Sequence, residues 1–495
     1  MSTTYLYAAV IIYIIAGSIV ALLARKEMNE GVIEYFLSGR NTGGFVAALS
    51  YSATTYSAFM MIGLAGFTYS GGVGALGFEL VYLSGLSLVA FFGPRFWLIG
   101  KKNNYVSPYE MLGDRYQNQW IAVAASLSAC IFLIPYLAVQ LMGVGYLLNG
   151  LSGGEIPFII GVLIAVVLAI AWALIAGMKS VTWTDSLQSL IMIVVSVIIL
   201  FYVIYQHLGG FIDFFSSLSA EEGEILTVPG PGFFEFKTFL ALSLPWFFFS
   251  ISNPQVSQRL FIPRDLNAMK TMIKGFLGFG FIYTLVSVIW GFSARLLIPG
   301  LANADMATPQ LLASEYVPTL LALVAMIGIT AAAISTIDSI MLTLSSLVVR
   351  DLFKNMEDDL AQGKSLKQLR TAKLAIIIIA ILGFIFAVQE LNLIATLSVA
   401  ASVGLLVVVP SFFGAFFWKK ASAAGSLSSI IFGSLTALYL QFSGWKPYGH
   451  GAGVWTLLAS TAVFIVISLL TEAPREKADR FIDYIEQELN SKNIL

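Results

Sequence analysis

Oxygen-bearing side chains line one face of the apolar stretch Gly328–Lys354, which is long enough to cross a bilayer. At 3.6 residues per turn, the members of this face are Ala332, Ser335, Thr336, Ser339, Thr343 and Ser346, with Asp338 at its edge. Hydroxyl groups in a membrane helix commonly join neighbouring helices, so the stripe has a purely structural alternative. The carboxylate is different, because charge at membrane depth is costly and marks an ion or proton path. A face rich in oxygen and poor in nitrogen suits a hard alkali cation, which predicts a sodium site.

Two further acidic residues lie in apolar surroundings. Asp185 begins the sixth predicted span, close to Lys179, and Glu79 lies within the segment GALGFELVYLSGL. An aspartate at a helix N-terminus is often only a cap or a partner of the helix dipole. For Glu79 the alternative is a place at the outer membrane edge. Both residues remain candidates for a site within the membrane.

The composition places these residues in a membrane protein with many spans. The chain has 495 residues, of which 58% are hydrophobic and 11% charged, and its mean hydropathy is +0.86. Its single cysteine, Cys130, excludes an intrachain disulfide. The first apolar run lacks a basic start and a cleavage site, so we expect a membrane helix there and not a signal peptide.

Hydropathy predicts an all-α protein with thirteen membrane spans. They are numbered in chain order as spans 1 to 13 and cover residues 5–24, 43–69, 75–99, 120–148, 156–178, 183–206, 236–258, 273–297, 318–349, 372–389, 393–418, 425–443 and 453–472. With the N-terminus outside and the C-terminus in the cytoplasm, every Lys and Arg except Lys237, Arg295 and Lys446 falls on the inner side. The positive-inside rule therefore sets this orientation.

Spans 2 and 7 look interrupted. Span 2 has a polar centre that includes Ser57 and is flanked by glycines, and span 7 has Asn253 and Pro254 near mid-membrane. A proline kink alone is often structural. These two spans, however, hold matching positions in two five-helix units, spans 2–6 and 7–11, and an odd period makes the second unit inverted. Interrupted helices at matching positions of an inverted repeat indicate the binding site of a secondary transporter.

The chain resembles the sodium:solute symporter family over nearly its whole length. The resemblance is carried by the motifs SATTYSAFMMIGLAG (52–66), AGMKSVTWTD (176–185), NPQVSQR (253–259), AAAISTIDS (331–339), RDLFK (350–354) and FFGAFFWKK (412–420). Two positions depart from the family pattern: Ala176 replaces the first of two glycines, and Thr55 replaces an acidic residue of proline carriers. These departures bear on the solute and not on the family.

The resemblance implies a LeuT-type inverted repeat with one extra helix before the core and two after it. The expected segments are an N-terminal helix and inner loop (1–42), the first repeat (43–206), an external loop (207–235), the second repeat (236–418), two accessory helices (419–473) and a cytoplasmic tail (474–495).

The resemblance implies that the protein binds Na⁺ as its coupling ion. Its ligands would be the carbonyls of Ala53, Tyr56 and Ala332 and the hydroxyls of Ser335 and Thr336. A second ion, Na⁺ or H⁺, would use Asp185, Ser335, Asp338 and Ser339, since two neighbouring carboxylates share a cation or hold a proton between them.

The solute is expected near the midplane, between the broken helices. Its candidate contacts are Thr54, Thr55, Ser57, Phe78, Glu79, Tyr136, Gln140, Ser252, Asn253 and Gln255. A carboxylate such as Glu79 favours a zwitterion or polyol over a simple anion. The aromatic residues 246–249 are candidate gates, with a lipid-facing belt as the alternative.

We therefore predict a sodium-coupled carrier of a small polar solute, such as an amino acid, a carboxylate or a sugar-like compound. An enzyme is disfavoured, because the two histidines, His207 and His450, lie at the outer ends of helices and no hydrolase or nucleotide motif occurs. A solute sensor without net transport and a proton-coupled carrier remain alternatives. The expected partners are the solute, sodium ions and the lipid bilayer, with no nucleic acid. We expect a monomer in a prokaryotic plasma membrane.

Overall fold

The structure is a computed structural model that describes residues 2–26, 31–221, 223–228, 235–353, 362–390 and 394–492. Lys354 of the RDLFK motif and part of the predicted external loop 207–235 lie outside the described residues. Every regular element within these ranges is helical. One isolated bridge there pairs Thr42 with Pro263, just before the start of span 2 and just after the end of span 7.

The first half of the chain forms helices at the positions of spans 1 to 6. Their bounds are Thr3–Lys26 for span 1; Gly44–Thr55, Phe59–Leu64 and Ala65–Gly71 for span 2; Gly74–Leu86 and Val89–Asn103 for span 3; Gln119–Leu151 for span 4; and Phe158–His207 for spans 5 and 6. Gly177 divides the last of these with φ +56°, a conformation that glycine adopts freely.

The second half forms the helices of spans 7 to 13. Their bounds are Phe236–Phe247, Phe249–Ser252, Pro254–Ser257 and Gln258–Phe261 for span 7; Leu266–Leu297 for span 8; Thr319–Leu347 and Val348–Leu352 for span 9; Gln362–Ala387 for span 10; Ile394–Leu405, Leu406–Val408 and Val409–Phe417 for span 11; Ala423–Ser443 for span 12; and Ala452–Leu470 for span 13.

Shorter helices lie outside the spans. They are Val32–Leu37, Ser38–Arg40, Pro108–Arg115, Phe211–Glu221, Gly223–Leu226, Ala304–Met306, Ala307–Ala313, Pro447–Gly449 and the tail helix Arg475–Ser491. The tail helix buries Phe481 and Ile485 and joins Asp114 through Lys477, whose Nζ lies 2.8 Å from Asp114 Oδ2.

Eleven of the described helices are long and apolar enough to span a membrane. The bent pair Gly44–Thr55 and Phe59–Gly71, at 49°, gives a twelfth. The pieces of span 7 are each too short, so its membrane crossing stays a prediction.

Local chemistry explains both breaks. In span 2, Tyr56 leaves the helical region with φ −105° and ψ 71°. The Ser57 hydroxyl accepts from Phe59 N at 3.3 Å, and the Ser57 carbonyl accepts from Met60 N at 3.0 Å. These two contacts satisfy backbone N–H groups beside the break. In span 7, Pro254 restricts the residue before it to extended conformations, and Asn253 has φ −88° and ψ 113°.

Span 9 lies at the centre of the assembly. It packs against spans 4, 5 and 6 and against the first helix of span 2, while span 8 runs along the whole of span 2. Residues 328–347 of span 9 are all buried. This position brings the hydroxyl face of span 9 to the break in span 2.

Candidate functional site

The five predicted sodium ligands are buried where span 9 meets the break in span 2. Thr336 Oγ1 donates either to Ala53 O, at 3.3 Å, or to Ala332 O, at 3.1 Å. Ser335 Oγ has no hydrogen-bond partner among the described residues. Tyr56 is the residue at which the span 2 helix ends. Uncharged oxygen atoms from two elements are thus close together, as a hard monovalent cation requires.

The predicted second ion site contains a cation that belongs to the chain. Asp185 lies about two turns inside the helix that follows Gly177, so the alternative of a helix cap does not apply. Its Oδ2 is 3.0 Å from Nη2 of Arg259 and accepts from Ser50 Oγ at 2.8 Å. The same guanidinium donates to Ser50 Oγ and to Ser339 Oγ. Both charged side chains are almost fully buried, Asp185 at 0% and Arg259 at 2% exposure.

Asp338 lies close enough to both members of this ion pair, Asp185 and Arg259, to interact electrostatically with each. It is buried, and its Oδ1 has no hydrogen-bond partner among the described residues. It is close enough to Tyr13 of span 1 and to Tyr35 to interact electrostatically with both hydroxyls. The structure therefore brings the four second-site residues together: Ser335 and Asp338 lie close to Asp185, and Ser339 accepts from Arg259, the cation partner of Asp185.

All ten predicted solute contacts are buried. Thr54 lies beside the predicted second ion site, since its hydroxyl is 3.1 Å from Ser339 Oγ. The side chains that are buried without a hydrogen-bond partner include both carboxylate oxygens of Glu79, both amide atoms of Gln140 and Gln255, Oδ1 of Asn253 and Oγ1 of Thr55. Buried polar groups without partners are uncommon, so each of these side chains is a candidate contact for a polar ligand.

An aromatic cluster lies beside Glu79. It consists of Tyr56, Phe59, Phe78, Tyr82, Tyr136, Trp246 and Phe249. Trp246 stacks on Phe249 with ring centroids 5.2 Å apart, and Tyr82 lies edge-on to Trp246 at 4.7 Å. Trp246 and Phe249 are fully buried, so a lipid-facing belt does not account for these two residues.

The cluster and the carboxylate occupy one region of the protein. Glu79 is near enough to the hydroxyls of Tyr56, Tyr82 and Tyr136 to interact electrostatically with each. Tyr82 Oη also donates to Thr55 O at 3.2 Å, which connects this region to the break in span 2. For Gln140 and Gln255 the structure shows burial and unpartnered amide groups, without a contact that joins them to the cluster.

Sequence reasoning missed Arg259 and Tyr82. Arg259 was counted among the inner-side basic residues, although it closes the NPQVSQR motif at the end of a broken span. A buried carboxylate needs a partner, and this requirement was a signal that pointed to Arg259. Tyr82 follows Glu79 by three residues, one helical turn, so it shares the face that carries the acid.

Comparisons with known proteins give one consistent result. The family model of the sodium:solute symporter family matches residues 35–433. A sodium/pantothenate symporter of Haemophilus influenzae is 25% identical over 477 residues, covering 94% of this chain and 96% of that protein. A high-affinity proline transporter of Bacillus subtilis is 25% identical over 478 residues, covering 92% and 97%.

Among solved structures, a Na⁺-coupled sialic acid symporter in a substrate-bound, outward-open state has a similar fold. Its TM-score is 0.79 at 19% identity, and the match covers 95% of this chain and 98% of that chain. A nucleobase-cation-symport-1 family transporter has a TM-score of 0.55 at 13% identity, covering 92% and 99%. The expected all-α, polytopic fold of LeuT type is confirmed.

Proposed function

The chain belongs to the sodium:solute symporter family, and from this membership we propose that it carries a small polar organic solute across the plasma membrane by alternating access, coupled to inward movement of sodium. It is a multi-pass membrane transporter and not an enzyme. The proposed sodium ligands are the carbonyls of Ala53, Tyr56 and Ala332 and the hydroxyls of Ser335 and Thr336.

The observation that carries the sodium assignment is the contact of Thr336 with the end of the first helix of span 2. Its hydroxyl reaches the Ala53 carbonyl at 3.3 Å, while the neighbouring Ser335 hydroxyl has no partner in the described part of the chain. A neutral set of oxygen ligands binds Na⁺ without holding it permanently, because no full negative charge opposes its release. Such a site is suited to an ion that must bind and leave in every cycle.

The proposed solute class follows from Glu79. Both of its carboxylate oxygens lack partners, and no basic side chain of the described residues contacts it. A buried carboxylate repels a bare anion and binds a hydroxyl or ammonium donor. Aromatic faces of the cluster around Tyr82 and Trp246 would also favour an ammonium group. A zwitterion or a polyol therefore fits this region better than a simple carboxylate.

Solute uptake by the purified protein in liposomes tests the proposal. A panel of radiolabelled proline, pantothenate, lactate, sialic acid and galactose is offered under an inward Na⁺ gradient, and choline replaces Na⁺ in the control. Accumulation that requires Na⁺ supports the proposal. Binding of a solute without uptake would favour the sensor, and uptake driven by a pH gradient in choline would favour the proton-coupled carrier.

A further inference from the structure

Two consecutive carbonyl groups hold the ends of both broken spans. Arg40, just before the first helix of span 2, donates from Nη2 to Tyr105 O at 2.6 Å. Gln258, in the last helical piece of span 7, donates from Nε2 to Val106 O at 2.9 Å. Both carbonyls belong to the inner connection, residues 105–116 between spans 3 and 4, which the positive-inside rule places in the cytoplasm. Each broken span is therefore tied to this connection at its inner end.

The inner connection is itself fixed to spans other than 2 and 7. Ser107 Oγ donates to Asp351 Oδ2 of span 9 at 2.7 Å. Arg115 Nε donates to Ala415 O of span 11 at 3.1 Å. Together with Gln258, these contacts involve three of the motifs that carry the family resemblance, namely NPQVSQR, RDLFK and FFGAFFWKK. The inner connection thus joins the broken spans to spans 9 and 11.

The tail helix Arg475–Ser491 docks on the same connection. Its Phe481 is buried, and the Phe481 ring lies 5.8 Å from the Phe416 ring of span 11. At the start of the tail helix, Lys477 Nζ lies 2.8 Å from Oδ2 and 2.9 Å from Oδ1 of Asp114. An apolar face of the tail therefore packs on the membrane domain, and one of its charges reaches the inner connection.

Asp114 connects the tail helix to the first of the two carbonyl groups. Its Oδ2 accepts from the hydroxyl of Tyr105, in addition to its contact with Lys477. Tyr105 has its hydroxyl on Asp114 and its backbone carbonyl on Arg40. Hydrogen bonds to an ionised acceptor are stronger than those between neutral groups. The place of Tyr105, and of the carbonyl that Arg40 uses, thus depends on Asp114.

These contacts accompany a closed state of the protein. The proposed sodium ligands and solute contacts are all buried, so neither site is open to water. Alternating access moves one group of helices against another around such a site. Opening toward the cytoplasm must separate the inner ends of spans 2 and 7 from their neighbours, and this movement breaks the Arg40 and Gln258 contacts.

We propose that Asp114 is a positioning residue of the transport cycle: it holds Tyr105 in place for Arg40, and through Lys477 the tail helix stabilises the state that is closed toward the cytoplasm. This inference rests on the proposed alternating access and adds a role for the tail helix. Loss of the contact between Lys477 and Asp114 is expected to favour opening toward the cytoplasm. The two side chains are 29% and 39% exposed, so the expected change is about two- to fivefold.

Two cysteine reporters measure the opening of each side. With the native Cys130 replaced by serine, Ser257→Cys reports the inner end of span 7. Ser398→Cys reports the outer end of span 11, which packs against span 2 beyond its break. Both serines are buried and donate to a carbonyl one turn earlier in the chain. The measurement is the rate at which a water-soluble maleimide labels each cysteine in the full-length protein in lipid nanodiscs.

Lys477→Gln is expected to raise the labelling rate of the inner reporter about two- to fivefold and to lower that of the outer reporter, because one equilibrium connects the two states. Asp114→Asn still accepts from Tyr105 but loses the charge, so it should shift both rates in the same directions. Lys477→Arg keeps the charge and should keep the native rates. Arg480→Gln is the matched control, since Arg480 pairs with Glu476 of the tail helix itself.

The outcomes separate the proposal from a purely structural role. Faster labelling of both reporters in Lys477→Gln would show that the tail only stabilises the fold, and unchanged labelling would show that it has no part in opening; either result overturns the proposal. Tyr105→Phe removes the hydroxyl and keeps the carbonyl, so it should reproduce the effect of Lys477→Gln, and native rates would overturn the role of Asp114. If Lys477→Gln does not fold, Asp114→Asn and Tyr105→Phe decide the proposal. A native protein in which Na⁺ changes neither uptake nor labelling would refute the proposed function itself.

Discussion

The hydroxyl of Thr336 lies 3.3 Å from the carbonyl oxygen of Ala53, although the two residues are 283 positions apart in the chain. This contact joins a continuous helix, span 9, to the last turn of the first helix of span 2, Gly44–Thr55. An unbroken span 2 would use the Ala53 carbonyl within its own helix. The break makes that oxygen available to a side chain or an ion.

The first prediction is that the double variant Ser335→Ala, Thr336→Ala loses much of its sodium dependence. Removing two hydroxyl ligands is expected to raise the half-saturating sodium concentration at least tenfold, or about 1.4 kcal/mol. The measurement is solute uptake into liposomes as a function of Na⁺ concentration.

Ser345→Ala is the matched control for this experiment. Ser345 is a buried serine of the same helix whose hydroxyl donates to Leu342 O at 2.8 Å, away from the break. It should keep the native sodium dependence. An equal effect of both changes would mean that buried hydroxyls of span 9 act only through helix stability.

Much of this site was accessible to sequence reasoning. The serines and threonines of span 9 fall on one face by periodicity alone, and Ser57 and Pro254 mark their breaks by local chemistry. These features depend on residues within about two turns of one another. The structure places this face of span 9 beside the break in span 2, where Thr336 contacts Ala53.

The partner of Asp185 could not be obtained in that way. Arg259 is 74 positions from Asp185, and its basic charge had an explanation as part of the inner-side excess. Long side chains of this kind reach back along the helix, so their position in the chain does not reveal where their charge lies. Five aromatic residues of the cluster, Tyr56, Phe78, Tyr136, Trp246 and Phe249, were named separately. They were not recognised as one cluster, since its members come from four spans and have no common spacing.

The second prediction concerns Glu79→Gln. The change keeps the shape and removes the carboxyl group that can ionise beside a bound solute, so binding of a solute with an ammonium or several hydroxyl groups is expected to weaken at least tenfold, since hydrogen bonds to charged groups contribute about 1.5–3 kcal/mol. Sodium affinity should change much less. Solute binding at saturating Na⁺ gives the measurement.

Glu155→Gln serves as the control for Glu79, because Glu155 is an exposed acid at the end of span 4. Native solute affinity in Glu79→Gln across all preferred solutes would remove Glu79 from the solute site. A loss confined to sodium affinity would place Glu79 in the ion pathway instead.

The third prediction uses two glycines of span 8. A Cβ on Gly280 would lie 1.8 Å from the hydroxyl oxygen of Tyr56, whereas a Cβ on Gly278 would meet nothing within 4 Å. Gly280→Ala must therefore displace the Tyr56 ring, and overpacking of this kind costs about 1–3 kcal/mol. Both stability in detergent and solute uptake are expected to fall. Gly278→Ala should behave as the native protein, and equal effects would indicate that any side chain at this depth of span 8 is harmful.

The last prediction concerns the pH dependence of the segment between spans 8 and 9. Asp305 lies there with 2% exposure, and its Oδ2 accepts from the backbone N–H of Ile394, at the start of span 11, at 2.8 Å. Burial raises the pKa of the Asp305 carboxyl from 3.8 to about 7, and the Ile394 N–H opposes part of that rise. The folded protein therefore holds a proton on Asp305 at pH values where the unfolded chain has lost it.

The sign of the effect follows from proton linkage. Between about pH 4 and pH 7 the folded state binds more protons at this group than the unfolded state, so the free energy of unfolding falls as pH rises through that window. Thermal stability of the purified protein should decrease accordingly from pH 5 to pH 8. Asp305→Asn is neutral at every pH and still accepts from Ile394, so its stability curve should be flatter over the same range. Parallel curves for the two proteins would show that another group controls the response, because a carboxyl that ionises freely in the folded state contributes no slope above pH 5.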